Sequence, residues 1–285
     1  MLCYPAEEKR ILKLPELFIA QPKLNGERCR VEWFDGDPIL LSSYGNVFKG
    51  LGHIQRLLKE FFPPDICWDG ELYVHGWSRE RIHSAVSRKV NTNPDASDIQ
   101  FHIFDYQEFE GASTAQITRC AKLHELFSWA DTDPVYPYIQ LVKTTRSSRS
   151  EWLEDCAEYI SQGYEGIILR HPYAIYQDKR SPNILKYKPT ETDEYTIIGV
   201  NQEIDIHGQP KNSLGSFIVM GDDGQKFSVG TGPALTRENR EKLWKNRDNL
   251  PGLTLLVKHE KMTTTNNIPI ATVAVSVITP KGEKK

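Results

Sequence analysis

No C-x-x-C pair, no H-E-x-x-H motif and no apolar run of membrane-spanning length occurs in these 285 residues. The five cysteines, Cys3, Cys29, Cys67, Cys120 and Cys156, are odd in number and scattered. That pattern excludes both a disulfide framework and a zinc ribbon, and it implies buried free thiols in a reducing compartment. The eight histidines form no metal-ligand pair. There is no cationic excess either: Lys+Arg 35 against Asp+Glu 38 gives a formal charge of -3. Any nucleic-acid binding must therefore use a local patch. The amino-terminal stretch MLCYPAEEKR lacks the apolar core of a signal peptide, so a cytoplasmic protein without membrane contact is expected.

What is present is enough for two ordinary cores, with 39% hydrophobic residues and no internal repeat. Alternation from Arg28 to Trp33, a turn at Asp35-Gly36-Asp37-Pro38 and Ile39-Leu40-Leu41 predict an antiparallel hairpin. Ile54, Leu57, Leu58 and Phe61 recur at helical spacing, and Pro63-Pro64 ends that helix before a strand from Cys67 to Val74. Further helices are expected over Arg79 to Val86, Thr118 to Trp129 and Ser150 to Ile160, with strands at Ile99 to Tyr106 and Gly166 to Arg170. This is an α+β pattern. From about Asp193 it gives way to short strands with Gly, Asn and Asp turns and one helix near Thr236 to Lys245, which suits a small OB-type barrel. The apolar-free run from Pro189 to Asp193 marks the boundary, giving domains of 1–190 and 191–285.

Five stretches bear charges or rings where a fold would not need them. In Phe18 to Phe34, Lys23 follows a proline and precedes Asn25-Gly26. It is either a solvated charge at a strand mouth or a nucleophile. Asp69 and Glu71 lie two apart in a strand and so share one face, either solvent or a site. Phe104, opposite Phe101 and Ile103, is a second core face or a platform for a base. Glu165 opens a strand apolar on both faces and ended by Arg170; such an acid needs a cation or water. Lys186 and Lys188 share one face of a strand whose other face carries Leu185 and Tyr187, as a solvated edge also would.

Taken in order, these residues meet the needs of nucleotidyl transfer to lysine. An ammonium with a pKa near ~10.4 is a poor nucleophile unless neighbouring cations and bound metal depress that value. Lys186, Lys188 and a Mg²⁺ on Glu165 could do so, and they would also stabilise charge on the phosphates.

The succession resembles the covalent nucleotidyltransferases, specifically the small ATP-dependent DNA ligases of viral and phage type. KLNGER resembles K-x-D-G-x-R, WDGELYVHG the D-G-E motif, FHIFDY the adenine-stacking motif, YEGIILR E-G-x-x-x-R, and LKYKP the paired-lysine motif. The resemblance implies a nucleotidyltransferase domain followed by an OB domain. It implies that Lys23 carries AMP, with Lys186 and Lys188 as catalytic partners at the phosphates. Gln21, Arg28, Glu71, Phe104 and Glu165 would contact the nucleotide, and Glu165 and Asp69 would hold Mg²⁺. Arg170, Lys179 and Arg180 would face the polynucleotide. The implied cofactors are ATP and Mg²⁺, and the implied partner is a nicked duplex DNA, with RNA-containing strands open, sealed by a monomer.

Three departures accompany the match. Asn25 stands where the family carries Asp, and Ser43 replaces the arginine of the S-R-x-G segment. The stretch Ala274 to Lys281 lacks the family's basic motif, a role that Lys281, Lys284 and Lys285 could fill. RNA ligase, mRNA-capping guanylyltransferase and an inactive OB-fold clamp remain alternatives on these residues, and an NAD⁺-dependent ligase is disfavoured by the missing cysteine module.

Overall fold

The computed structural model describes residues 2–88, 91, 93–108, 113–128, 137–221, 223–260, 262–263 and 267–278. The chain divides into two compact units, Met1–Lys188 and Pro189–Lys285.

In the first unit the elements run β1 (Leu2–Pro5), α1 (Glu8–Ile11), β2 (Leu17–Lys23), β3 (Glu27–Phe34), β4 (Asp37–Ser42), α2 (Gly52–Phe61), β5 (Ile66–Tyr73) and α3 (Arg79–Val86). They continue with β6 (Gln100–Glu108), α4 (Gln116–Phe127), β7 (Ile139–Leu141), β8 (Thr145–Ser148), α5 (Trp152–Ser161), β9 (Gly166–Arg170) and β10 (Arg180–Tyr187). Two sheets result, ordered β1-β10-β9-β2-β8 and β4-β3-β5-β6-β7.

Local chemistry accounts for most boundaries. Asp35 and Gly36 both have positive φ, 49° and 78°, the two-residue turn that joins twisted strands β3 and β4. Buried Ile54 and Leu58 face inward from α2, and Ser78 caps α3 by accepting from the Arg81 backbone N–H at 3.2 Å. Behind the second sheet, Trp68, Phe101, Ile103 and Leu72 pack with α2 and α3. Behind the first, Trp152, Cys156 and Tyr159 of α5 cover Phe18, Ala20 and Leu169. Each such fully buried large apolar side chain contributes about 1.5–3 kcal/mol.

The second unit is a five-stranded antiparallel sheet, ordered β13-β12-β11-β14-β15: β11 (Glu191–Ile204), β12 (Pro210–Met220), β13 (Lys226–Val229), β14 (Thr254–His259) and β15 (Val273–Ile278), with α6 (Arg237–Lys245). Its two edges approach each other where the Ala274 N–H donates to Thr231 O at 2.7 Å. Arg240 of α6 donates to the carbonyls of Leu235, Leu214, Gly215 and Gly230 at 2.6 to 3.0 Å, tying the helix to the sheet.

Strand β11 begins inside the segment Pro189 to Asp193 expected as the domain boundary: Glu191, Thr192 and Asp193 already pair with His259, Lys258 and Val257. Polar composition hides the strand there because these three residues are exposed while their backbone is in the ladder, Asp193 Oδ2 also being hydrogen-bonded to buried His259 Nε2 at 2.8 Å. The short strands β7 and β8 have too few residues for a period to be read. Lys281, Lys284 and Lys285 lie outside the described residues. Among the described residues no helix is long and apolar enough to cross a membrane. All five cysteines are free thiols, and all but Cys3 are buried.

Candidate active site

Lys23 ends β2 in the first sheet, and Glu27 begins β3 in the second, so Leu24-Asn25-Gly26 carries the chain from one sheet to the other. Only glycine fits the last of these positions. A Cβ on Gly26 would lie 2.2 Å from the Leu72 carbonyl oxygen and 2.9 Å from Glu71 Cγ. The tight crossing places Lys23 next to β9, where the Glu165 N–H donates to Lys23 O at 3.1 Å. Gly166 beside it has φ 157° and admits Tyr187 O so closely that a Cβ would lie 2.1 Å away.

A cavity of about 470 Å³ opens at this seam. Nine of the twelve expected residues line it: Gln21, Lys23, Arg28, Glu71, Phe104, Glu165, Arg170, Lys186 and Lys188. Cys3, Asn25 and the turn Ser42-Ser43-Tyr44 also line it.

At its centre Glu165 is paired through one oxygen with the Lys23 ammonium and through the other with Lys188. Burial works against the Glu165 charge, but Lys23 and Lys188 outweigh it and hold the carboxyl below the usual range. Glu71 behaves oppositely. Burial pushes its carboxyl up to about 8, only partly countered by Lys23 and reinforced by Glu27 and Asp69.

Phe104 reaches the cavity through a fault in the ladder. Asp69 pairs with Asp105 and the next residue, Gly70, with Ile103, so Phe104 is bulged out of register. Its carbonyl accepts from Gln21 Nε2 at 3.2 Å, and its ring lies 5.1 Å from the Arg170 guanidinium. Gln21 is 2% exposed and locked at both ends: Nε2 also donates to Thr144 Oγ1 at 2.9 Å, and Oε1 accepts from Arg170 Nε at 2.7 Å.

Two placements correct the sequence reading. Arg170, expected at the polynucleotide, is 4% exposed, and it donates to Gln21 and, at 3.2 Å, to Asp105. Its charge is spent inside, fixing the wall that carries Phe104. Asp69, expected at the metal, is fully buried and does not line the cavity. Arg28 grips it with two bonds of 2.8 and 2.9 Å, and Tyr176 donates to it at 2.9 Å, so it positions Arg28 instead. Lys179 and Arg180 are exposed and outside the cavity lining.

The donor set of the cavity still suits a divalent cation. Glu165 is anionic and faces the lysines, and Glu71 lines the same cavity from the second sheet as a further oxygen donor. Asp69 does not fit, because it is fully buried and lies outside the cavity lining.

Sequence reasoning missed the supports. Asp105 is fully buried and holds Arg119, at 2.7 and 3.1 Å, as well as Arg170. Asp178 pairs with Arg28 at 2.8 Å and with Arg30. The one available signal was Asp105 itself, a carboxylate inside an aromatic strand that burial forces to find cations.

Residues 1–188 match the family described as ATP dependent DNA ligase domain. A DNA ligase of African swine fever virus (isolate Pig/Kenya/KEN-50/1950) is 27% identical over 277 residues, spanning 92% of this chain and 64% of the relative. The DNA ligase of Enterobacteria phage T4 is 25% identical over 285 residues, spanning 81% and 56%. The chain thus spans less than two thirds of the length of these relatives. Among solved structures, a Lig E DNA ligase superposes with a TM-score of 0.73 at 22% identity, covering 98% of each chain. The bacteriophage T7 ATP-dependent DNA ligase in complex with ATP gives 0.57 at 14%, covering 97% of each. These likenesses show a shared fold: an α+β adenylation domain followed by an antiparallel β domain that matches the OB domain of small ligases.

Proposed function

This chain belongs to the ATP-dependent DNA ligase domain family, and on that premise we propose that it seals nicks in duplex DNA through a lysyl-AMP formed on Lys23. The observation that carries the proposal is the Lys23–Glu165–Lys188 cluster, opening into the same cavity as the Phe104 ring. An isolated structural ion pair would not need an aromatic platform and a 470 Å³ space beside it. Residues 1–190 act as the nucleotidyltransferase domain and 191–285 as the OB-fold domain.

In the first step the adenine of ATP lies against Phe104, whose ring packs on Arg170 and whose carbonyl accepts from Gln21. The ribose hydroxyls meet Glu71. Lys23 Nζ loses a proton and attacks the α-phosphorus, and the bond to the β-phosphate oxygen breaks as pyrophosphate leaves. Lys186 and Lys188 offset the charge that develops on the phosphates. Glu165 keeps Lys23 in place before the nucleotide arrives, and its carboxylate is the nearest acceptor for the proton. Mg²⁺ held by Glu165, with Glu71 in reach, would supply further charge neutralisation at the phosphates. In the second step a 5′-phosphate oxygen attacks the lysyl-AMP and frees Lys23. In the third a 3′-hydroxyl attacks the activated phosphate, forming the phosphodiester and releasing AMP. In this reading the ligase works as a monomer. The free thiols suit a cytoplasmic setting.

Intact-mass measurement after incubation with ATP and Mg²⁺ tests the first step, and sealing of DNA and RNA nicks tests the rest. The expected result is one AMP on Lys23 and closure of a DNA nick. An unmodified protein, or a modified one that seals nothing, overturns the proposal.

A further inference from the structure

Tyr44 is 91% exposed, yet it lines the mouth of the cavity that holds Lys23. The turn that presents it is tightly braced. Ser42 N–H donates to Asn46 O at 2.8 Å, and Gly45 N–H donates to Ser42 O at 2.9 Å. The Ser42 hydroxyl accepts from the Tyr44 and Asn46 N–H groups at 3.3 and 3.1 Å. Gly45 takes φ 75°, which lets the chain reverse, and the Phe48 N–H then donates to the Leu40 carbonyl at 2.9 Å. Leu40 is fully buried and Phe48 packs on the same core, so both ends of the turn are pinned.

We infer that Tyr44 positions the polynucleotide, its ring packing against the terminal nucleoside at the break. The inference rests on the ligase reading. With AMP inside the cavity on Lys23, the broken end has to approach through the mouth. The residues of this turn are Ser42, Ser43, Tyr44, Gly45 and Asn46, which bring no cation for a phosphate. What they offer instead is a flat apolar face, and every nucleoside presents a surface that such a face can cover. A pre-ordered turn also spares most of the ordering entropy of binding. Single exposed rings are common on surfaces; this one stands on a hydrogen-bonded turn at the entrance to a charged cavity. Recognition through Tyr44 differs from an arginine–phosphate pair in one measurable respect, since packing does not weaken with salt as counterion release does.

The test uses the full chain and a nicked DNA duplex already carrying AMP on its 5′-phosphate, supplied without ATP. In Tyr44→Ala the KM for this substrate is expected to rise about tenfold, by a factor that is the same at low and high salt. Tyr44→Phe, which keeps the ring, should stay near wild type, and the KM for ATP in the first step should rise far less than that for the nick. Three results would overturn the inference: an unchanged KM for the nick in Tyr44→Ala, an equal rise in the KM for ATP, which would make Tyr44 a nucleotide lid, or a Tyr44→Phe variant as impaired as the alanine. A wild-type protein that neither takes up AMP nor seals would remove the ligase reading and this inference with it. A wild type that seals beside an unaffected Tyr44→Ala would remove the inference alone.

Discussion

The carboxylate of Glu165 holds the ammonium of Lys23 directly, with Lys188 on its other oxygen. One acid thus places the proposed nucleophile and neutralises a cation beside it.

Replacing that acid by its isostere leaves two neighbouring ammoniums without their common counter-charge. Glu165→Gln is expected to slow adenylylation about 100-fold, the scale of losing one preorganised electrostatic group. Lys23→Ala should abolish the adduct outright. Single-turnover kinetics with labelled ATP would measure both, and an adduct persisting in Lys23→Ala would place the nucleophile elsewhere. The same pair gives an acid-side signature. Because the Glu165 carboxyl is held below its unfolded value, the stability it adds is present above about pH 4.3 and is lost as pH falls through the lowered value.

Glu71 predicts the opposite slope. Its folded value of about 8 exceeds the unfolded one, so between about pH 4.3 and pH 8 the folded state binds the extra proton. Stability of the ligand-free protein should therefore fall as pH rises through this window. Glu71→Gln cannot ionise and should flatten the trend. Melting curves from pH 5 to pH 8 for both proteins would decide, parallel curves being the contrary result.

Asp105 sits between two buried guanidiniums, Arg119 and Arg170. Asp105→Asn should cost about 3–5 kcal/mol in urea denaturation, the usual effect of stranding a buried charge. It should also loosen Gln21 and Phe104, raising the KM for ATP. A variant as stable as wild type would show that the two arginines find other acceptors.

Lys179 and Arg180 are proposed to contact the polynucleotide and, being exposed, can be changed without disturbing the core. The double alanine variant should lower the salt slope of nicked-duplex binding by about 2, roughly 0.9 for each lost phosphate contact. Arg170→Ala, whose guanidinium faces inward, should leave that slope as it is while weakening nucleotide binding. An unaltered slope in the double variant would return these two residues to solvent.

In the second unit Arg240 reaches four carbonyls. Arg240→Ala should lose at least ~1.5–3 kcal/mol, since charged hydrogen bonds of this kind are each worth that much. Denaturant unfolding of the full chain would show it, and an unchanged midpoint would mean that water replaces the guanidinium.

Local chemistry carried the reading of elements a long way. Residue pattern located α2, α3 and β9, and the Asp35-Gly36 pair specified the hairpin turn. The motif resemblance carried by Lys23, Glu71, Phe104, Glu165, Lys186 and Lys188 also pointed to residues that line one cavity, while spacing alone left each of them a solvated or core alternative. Direction alone could not tell which charges are spent internally. Arg170 and Asp69 have the same residue types as the proposed site groups, and only the packing of β6 against β9 and the pairing of β3 with β5 show that Asp105 and Arg28 consume them. The Phe104 bulge is likewise a property of paired strands, since register is set between chains of residues far apart and no single stretch contains it. The exposure of Tyr44 at the cavity mouth belongs to the same class: the amino-acid order supplies the ring, and the meeting of two sheets decides what it faces.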